Sequence, residues 1–498
     1  MSYASLTEAA NFFFFSYFVL LNSGYLGLNL LSLVALRRRT EEIVLDELPQ
    51  VFSGHEVPIS VLVPAYNEEA TICSSIRSLL QLSYPEYEVI VINDGSKDGT
   101  LDALRAAFDL EAFPEAYYAQ IRTSEVRSVW RSRRYANLKV IDKQNGGKAD
   151  ALNAGINASR YSLVCGIDAD SVLERESLHR VVQPFLRDSR VVATGGTVRV
   201  ANGCVIESGH LREVGLPHKL LGLFQVVEYL RAFLFGRLGW SAISGMLIIS
   251  GAFGLFRKDA VISVGGYRPN TIGEDMELVV RMHRVLRERG TPYRIEFLPD
   301  PVCWTEAPED LKTLRNQRIR WQRGLSESLA ANWRLVFSRR GGVPGWIAFP
   351  FMAAFEWMGP VLELTGYAFM ITAYLLGGIS WSAFASFLFV ALGLGIMLSV
   401  SGLMLEELSF HMYPKRSDLA KLLGICVLEN FGYRQLNSWW RLEGLLRWAF
   451  NTRSSWGVMK RSGSWQAGAQ VAAPANSPAA TSSRPTSGKS SAQYGSSK

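Results

Sequence analysis

Cysteine is scarce and scattered. Cys73, Cys165, Cys204, Cys303 and Cys426 are odd in number, and no two of them stand in Cys-x-x-Cys spacing. That excludes a disulfide framework and a zinc site of ordinary spacing. Two phosphate-binding signatures are also missing. The pair Gly146-Gly147 before Lys148 has neither the Walker spacing nor that of the dinucleotide fingerprint, which argues against nicotinamide chemistry. Charge is thin: 19% of the 498 residues are Asp, Glu, Lys or Arg, against 48% hydrophobic, an unusual balance for a wholly soluble chain. The net charge of +7 does not make the chain a nucleic-acid binder. Its basic residues gather beside apolar segments, as in Arg37-Arg38-Arg39, Arg339-Arg340 and the stretch from Arg434 to Arg461, a pattern that fits cytoplasmic anchoring at a bilayer.

What the chain does have is long apolar runs at both ends. Residues 11–36 are almost wholly apolar and are followed at once by three arginines, which predicts a membrane span with its C-terminal end in the cytoplasm. A cleaved signal peptide would carry its positive residues before the run and a small-residue cleavage site after it. Residues 361–379 and 381–405 read as two further spans. Residues 346–358, interrupted by Glu356 and followed by Gly359-Pro360, read as an interfacial or kinked entry helix. Glu356 and Glu363 are costly in lipid and are expected to face a polar path or a partner. Residues 406–418, with His411, Lys415 and Arg416, read as a cytoplasmic loop. Residues 419–450 read as an interfacial helix, with a polar span as the alternative. Residues 456–461 are expected to form a small cap or a plain basic tail, and the Ala/Ser/Pro/Gly-rich stretch beyond 466 is expected to be disordered.

Between these ends the pattern is α/β. Residues 59–64 and 87–92 read as buried strands, with a helix from Asn67 through Leu80 between them. The second strand ends at Asn93-Asp94-Gly95-Ser96. Asp94 there can meet a base or ribose, or simply cap the next helix or make an Asx-turn. The basic segment 123–135, with Arg127, Arg131, Arg133 and Arg134, reads as a solvated or membrane-facing insertion. A short strand at 139–142 leads to Gly146-Gly147-Lys148, where close backbone approach and a lysine at a helix start suit phosphate oxygens.

The apolar stretch 161–167 stops at Asp168-Ala169-Asp170. It reads as a buried parallel strand that delivers both carboxylates to the sheet edge where α/β folds bind ligands. Two aspartates so close repel each other unless a cation lies between them, so a divalent metal carrying nucleotide phosphates accounts for the pair; an Asp-rich turn is the plain alternative. Further on come a helix, a strand at 191–200, and an amphipathic helix at 218–240 suited to a membrane surface or to the core. The apolar stretch 245–256 is too short to span and stays with the α/β unit.

Gly273-Glu274-Asp275 opens another helix, where first-turn carboxylates can be ordinary capping. In the stretch 316–324, the i, i+3 and i+4 spacing puts Gln317, Arg320 and Trp321 on one helical face. A guanidinium beside an indole can hold phosphate and offer a stacking platform, while a surface helix with charge pairs explains the spacing too.

Val63 to Glu69, Asn93-Asp94-Gly95-Ser96, the segment from Gly147 to Asn153, Asp168-Ala-Asp170, Gly273-Glu274-Asp275 and Gln317-x-x-Arg320-Trp321 occur in one order. In that order the chain resembles the membrane-embedded processive family 2 glycosyltransferases, the cellulose, chitin, hyaluronan and poly-N-acetylglucosamine synthases, over roughly residues 55–335. Gly273 stands where many of them carry Thr, a departure expected to matter little because both carboxylates remain.

The resemblance implies an α/β, GT-A-type nucleotide-sugar-binding domain with a mostly parallel sheet, plus transmembrane and interfacial helices. It divides the chain into an N-terminal span and linker (1–57), a cytoplasmic catalytic domain (58–335), membrane and interfacial helices (336–450) and the terminal tail (451–498). By position it implies that Asp94 contacts uridine with Lys148 nearby, that Asp168 supports diphosphate or ribose, and that Asp170, with Asp168, binds Mg2+ or Mn2+. Asp275 would be the general base, with Glu274 beside it a substrate-binding residue. Gln317 and Arg320 would steady the leaving diphosphate, and Trp321 would support the terminal sugar of the growing chain. The implied activity is inverting transfer of a hexose or N-acetylhexosamine from a UDP-sugar to a polysaccharide, coupled to export across the plasma (inner) membrane. A lipid-linked acceptor or a silent scaffold subunit are the alternatives. The implied partners are a UDP-sugar donor, a polysaccharide acceptor, the bilayer and an accessory export or regulatory subunit, with no nucleic acid.

Overall fold

In a computed structural model of the chain, residues 3–46 and 57–451 are described, residue 208 apart. The cap and tail expected beyond residue 451 lie outside them. The first element is a long helix, α1 (Tyr3–Asp46). Then come β1 (Ile59–Ala65), α2 (Ile72–Leu79), β2 (Tyr87–Asn93), α3 (Thr100–Phe108), β3 (Leu110–Ala112), β4 (Val126–Ser132), β5 (Leu138–Lys143), α4 (Lys148–Ala158) and β6 (Leu163–Ile167). The chain continues through β7 (Val172–Leu173), α5 (Ser177–Arg187), β8 (Val191–Val200), the hairpin β9 (Val205–Glu207) and β10 (His210–Glu213), then α6 (Leu220–Glu228), a π-helix Tyr229–Gly236 and α7 (Arg237–Ala242). Next are β11 (Phe253–Arg257), α8 (Lys258–Ser263), α9 (Glu274–Glu288), β12 (Arg294–Thr305) and α10 (Leu311–Ala331). The C-terminal helices are α11 (Phe349–Phe351) between two short π-helices, α12 (Gly359–Leu375), α13 (Trp381–Leu388), α14 (Leu394–Ser409), α15 (Arg416–Leu428) and α16 (Tyr433–Ala449).

One sheet carries ten strands in the order β3-β4-β5-β2-β1-β6-β11-β8-β12-β7. Strands β5, β2, β1 and β6 are parallel neighbours, with Leu62 opposite both Ile90 and Gly166. β11 runs against β6 and β8, while β12 runs parallel to β8, so most strands point one way. Ile59, Val61, Val63, Val89, Val91 and Ile92 are fully buried, as the near-continuous β-branched runs of a sheet covered on both faces require. The parallel strands therefore end together, and the loops after β1, β2, β5 and β6 share one edge.

Among the described residues, two helical stretches are long and apolar enough to cross a membrane, Leu6–Arg38 and Trp381–Ser409. Residues Pro344–Trp357 and Gly359–Leu375 form a third if a pair bent by 48° counts as one span. The bend falls where the sequence puts Gly359-Pro360, since proline removes a backbone donor and crowds the preceding turn. α15 and α16 are not among these stretches. α16 lies against α10 so closely that a Cβ on Gly444 would sit 2.7 Å from the Ile319 carbonyl oxygen.

Two local expectations change, and one open alternative is decided. The helix expected from Asn67 starts at Ile72 instead, because Asn67 takes a left-handed φ of 55°. The N–H groups of Asn67, Glu68 and Glu69 donate to Ser96 Oγ (3.0 Å), Thr100 Oγ1 (2.9 Å) and Asp98 Oδ2 (3.2 Å), which ties this loop to the one after β2. The basic segment 123–135 is no insertion: it contains β4, paired antiparallel with β5. Its arginines find partners in the segment after α3, Arg131 with Glu115 (3.2 Å) and over the Phe113 ring, and Arg133 with Glu111 (2.7 Å). For the segment 218–240, read as suited to a membrane surface or to the core, the core contacts decide. Leu223, Val227, Tyr229, Leu230, Leu234 and Phe235 are buried, and the helix is packed between β8, α1 and α14.

Candidate active site

Most of the site residues sit at the end or start of an element on the shared sheet edge, and three lie midway along a helix. Asp168 and Asp170 follow β6, Lys148 opens α4, Glu274 and Asp275 open α9, and Gln317, Arg320 and Trp321 lie on α10. All of them, with Asp94, line one cavity of 1520 Å³. The expected residues are therefore brought together.

Lys148 is the electrostatic centre. Its Nζ lies 2.5 Å from Asp168 Oδ1 and 3.5 Å from Glu274 Oε1, and donates to the Gly251 carbonyl at 3.2 Å. Burial alone would lower its affinity for a proton, but Asp168 and Glu274 outweigh burial and hold the ammonium charged well above the usual lysine range. Glu274 is pushed up to about 7: burial raises it most, Lys148 opposes that, and the neighbouring Asp275 carboxylate raises it further. Asp275 Oδ2 accepts the Gly251 N–H at 2.9 Å and its Oδ1 accepts the Met276 N–H at 2.8 Å. Each oxygen keeps a second acceptor position. Gly251 thus joins Lys148 to Asp275, and a Cβ there would meet Lys148 Nζ at 2.9 Å and Asp275 Oδ2 at 3.3 Å. The motifs left Gly251 unmarked, although it is a glycine just before a strand within an apolar stretch.

Asp94 is more deeply held than its loop position suggested. It is 3% exposed. Its carboxylate accepts from Lys143 Nζ (2.6 Å), Gly146 N (3.0 Å) and Gly147 N (2.7 Å), and from Asn145 Nδ2 (3.2 Å). Lys143, also missed, is fully buried and bridges Asp94 to Asp150 at 2.5 Å. Asp94 therefore fixes the loop that starts α4 as well as lining the cavity. Asn153 works for the fold too, pairing both ways with the backbone of Tyr267 at 2.8 Å.

On α10, Gln317 is buried with its Oε1 unpartnered. Trp321 has the Arg318 guanidinium 4.4 Å from its ring and Phe233 at 5.6 Å between centroids. From there the cavity wall runs on to Asn22 and Tyr25 of α1, Glu363 and Tyr367 of α12, and Ser438 and Arg441 of α16. Glu356 pairs with Arg441 (2.7 Å) and accepts from Tyr25, and Ser438 donates to Glu363 at 2.6 Å. The two carboxylates singled out in the sequence do face the cavity.

The donor set at Asp168 and Asp170 consists of hard carboxylate oxygens. No group of three or more His, Cys, Asp or Glu side chains able to hold a metal occurs among the described residues. That is compatible with the class of cation that takes one or two carboxylates and completes its shell with substrate phosphates and water.

Comparison with known proteins follows the same lines. The sequence is 30% identical over 287 residues to the poly-beta-1,6-N-acetyl-D-glucosamine synthase of Staphylococcus aureus, covering 57% of this chain and 58% of that one. It is 28% identical over 284 residues to the enzyme of the same name from Staphylococcus epidermidis, with the same coverage. The chain thus spans less than two thirds of these relatives' length. Among solved structures, a mannosyltransferase from Pyrobaculum calidifontis in complex with GDP-Man and Mn2+ matches with a TM-score of 0.50 at 19% identity, over 84% of this chain and 99% of that one; this supports the fold alone. Residues 60–264 match the family model described as Glycosyl transferase family 2, and residues 163–400 match the one described as Glycosyl transferase family group 2. Between them the two matches run from residue 60 to residue 400, and the chain belongs to the family 2 glycosyltransferases.

Proposed function

We propose that this chain is a membrane-bound polysaccharide synthase that transfers N-acetylglucosamine or a related hexose, with inversion, from a UDP-sugar to the end of a growing chain. The observation that carries this reading is the single cavity running from Asp168, Asp170 and Asp275 past Trp321 to polar residues of α1, α12 and α16. A one-sugar transfer needs only the first part of that cavity, whereas an elongating polymer needs a way onward. The staphylococcal relatives' name supports the sugar, and the apolar helices support a multi-pass protein with the α/β unit on the cytoplasmic side.

Asp168 and Asp170 would hold Mg2+ or Mn2+, which supplies neutralisation of the charge that develops on the departing diphosphate. Asp94 and the Gly146-Gly147 backbone shape the pocket for the uridine. Lys148 and Arg320 hold the phosphates, with Gln317 donating from the facing helix. Trp321 stacks on the terminal sugar of the acceptor. Asp275 takes the proton of the acceptor hydroxyl as that oxygen bonds to the anomeric carbon, and the bond from that carbon to the UDP oxygen breaks. UDP leaves with the electron pair, and the configuration at the anomeric carbon inverts.

The test is incubation of the purified protein in lipid nanodiscs with a panel of UDP-sugars and Mg2+ or Mn2+, following UDP release and sizing the product. A long polymer from one donor is expected. A single-sugar lipid product, or silence across the panel with and without candidate accessory subunits, would overturn the reading.

A further inference from the structure

Arg237 has no place in the scheme above, yet it opens onto the same cavity. It is 7% exposed, and its Nη1 is buried without a hydrogen-bond partner. A buried guanidinium with an idle donor is costly unless a ligand completes it. Its surroundings narrow what that ligand is. The guanidinium lies 4.6 Å from the centre of the Phe233 ring, and Phe233 packs at 5.6 Å on Trp321. Both residues come from the stretch where α6 widens into a π-helix before α7, and such widened turns recur at functional sites. The turn is firmly seated: Gly239, one turn on, is so close to α1 that a Cβ would fall 2.5 Å from the Leu28 carbonyl oxygen. Asp275 is the carboxylate that most supports the charge of Arg237, against a burial effect that pulls the guanidinium down to about 10.

The anionic end of the cavity floor, at Asp168 and Asp275, already has its cation in Lys148. Arg237 instead lies against Phe233, which packs on Trp321, and such an aromatic surface suits a sugar ring better than a phosphate. A planar fork of N–H donors beside a stacking surface suits adjacent hydroxyls or an amide carbonyl on that ring.

We propose that Arg237 is an acceptor-binding residue, donating to the terminal sugar stacked at Phe233 and Trp321 and so holding its nucleophilic hydroxyl toward Asp275. The proposal rests on the synthase reading given above. It predicts a specific division of kinetic effects: loss of the fork weakens the acceptor and leaves the nucleotide alone.

The experiment uses the full chain in nanodiscs, as wild type, Arg237→Lys and Arg237→Gln. It measures UDP affinity, the KM for UDP-N-acetylglucosamine, and the KM for an added β-1,6-linked N-acetylglucosamine tetrasaccharide. The expected result is a rise in acceptor KM on the order of tenfold or more in Arg237→Gln, smaller in Arg237→Lys, with UDP affinity and donor KM within about twofold of wild type. An unchanged acceptor KM in either variant that binds UDP normally overturns the proposal while leaving the synthase reading intact. Loss of UDP binding in both variants also overturns it, because Arg237 then serves the fold or the donor site. Failure of the wild type to form polymer from UDP-N-acetylglucosamine, with or without the tetrasaccharide, removes the synthase reading and the proposal with it, whereas a wild type that forms polymer but shows no saturable use of the tetrasaccharide overturns the proposal alone.

Discussion

Asp275 and Glu274 are adjacent in sequence and differ in what their surroundings ask of them. Glu274 is buried against Lys148 and pushed toward neutrality, whereas Asp275 takes one backbone N–H on each oxygen and still faces the cavity. On the proposed reading Asp275 is the carboxylate that receives the proton of the acceptor hydroxyl. Asp275→Asn keeps the shape and one acceptor but cannot take a proton. It is expected to bind UDP as the wild type does and to lose about 10²- to 10⁴-fold in transfer rate, measured with a radiolabelled donor. Near-normal turnover would move the base elsewhere. His283 offers a separate test of the buried polar core. Its ring is enclosed between Tyr293 Oη (2.6 Å) and the Met246 carbonyl (2.8 Å). Burial is the main force that pulls it from 6.5 down to about 4. The folded state therefore refuses a proton that the unfolded chain accepts below about pH 6.5. Stability should be flat above that value and fall as pH drops toward 4. In His283→Gln the unfolding temperature should be lower at pH 7.5 but vary less between pH 6.5 and 4, a difference that a fluorescence melting series across pH would resolve.

Among the elements, the meeting of α9 and α10 shows how the sequence was legible in kind but not in contact. The carboxylates at the start of α9 and the Gln317, Arg320, Trp321 face of α10 could be read from spacing. That the two helices touch glycine on glycine could not. A Cβ on Gly273 would lie 2.9 Å from Gly324 Cα, and one on Gly324 would lie 2.9 Å from Gly273 Cα. The absence of Thr before Glu274 thus has a consequence the motif alone does not reveal. Gly273→Thr should push α10 away from the carboxylates, costing about 1–3 kcal/mol through overpacking and lowering activity. An unfolding temperature equal to wild type would refute the close contact. The same division holds for β4 and for the segment 218–240. Polar strands near a sheet margin and helices with mixed faces carry weak periodicity, and what decides them is a partner distant in sequence. Arg131 needs Glu115 and Phe113, and the π-helix needs α1 and α14. The buried apolar strands β1, β2, β5 and β6 carry their own evidence, and these were legible. Lys143, Gly251, Phe233 and Arg237 were not, because each acquires its meaning only from neighbours that the fold brings to it.

In the whole molecule, elongation requires that the far part of the cavity be used. Its wall there is unusual for the interior of apolar helices: Asn22, Tyr25, Glu363, Ser438 and Arg441 give a hydroxyl, amide and charge-lined route beside hydrophobic packing of Phe18, Met370 and Phe387. Ionisable groups in such a place are costly in lipid and are kept where they face one another or a polar passage. Leu21, next to Asn22 on α1, lines this route and makes none of the contacts described around Lys148. Leu21→Trp adds bulk to the passage without touching the residues that hold donor or acceptor. The variant should bind UDP normally and release UDP during the first few transfers at a wild-type rate, and it should then yield short products where the wild type makes long ones. Gel sizing of the radiolabelled product at matched UDP release decides the matter. An unaltered length distribution would mean that the polymer leaves by another way, and that the polar lining between α1, α12 and α16 serves the packing of the helices rather than the passage of a sugar chain.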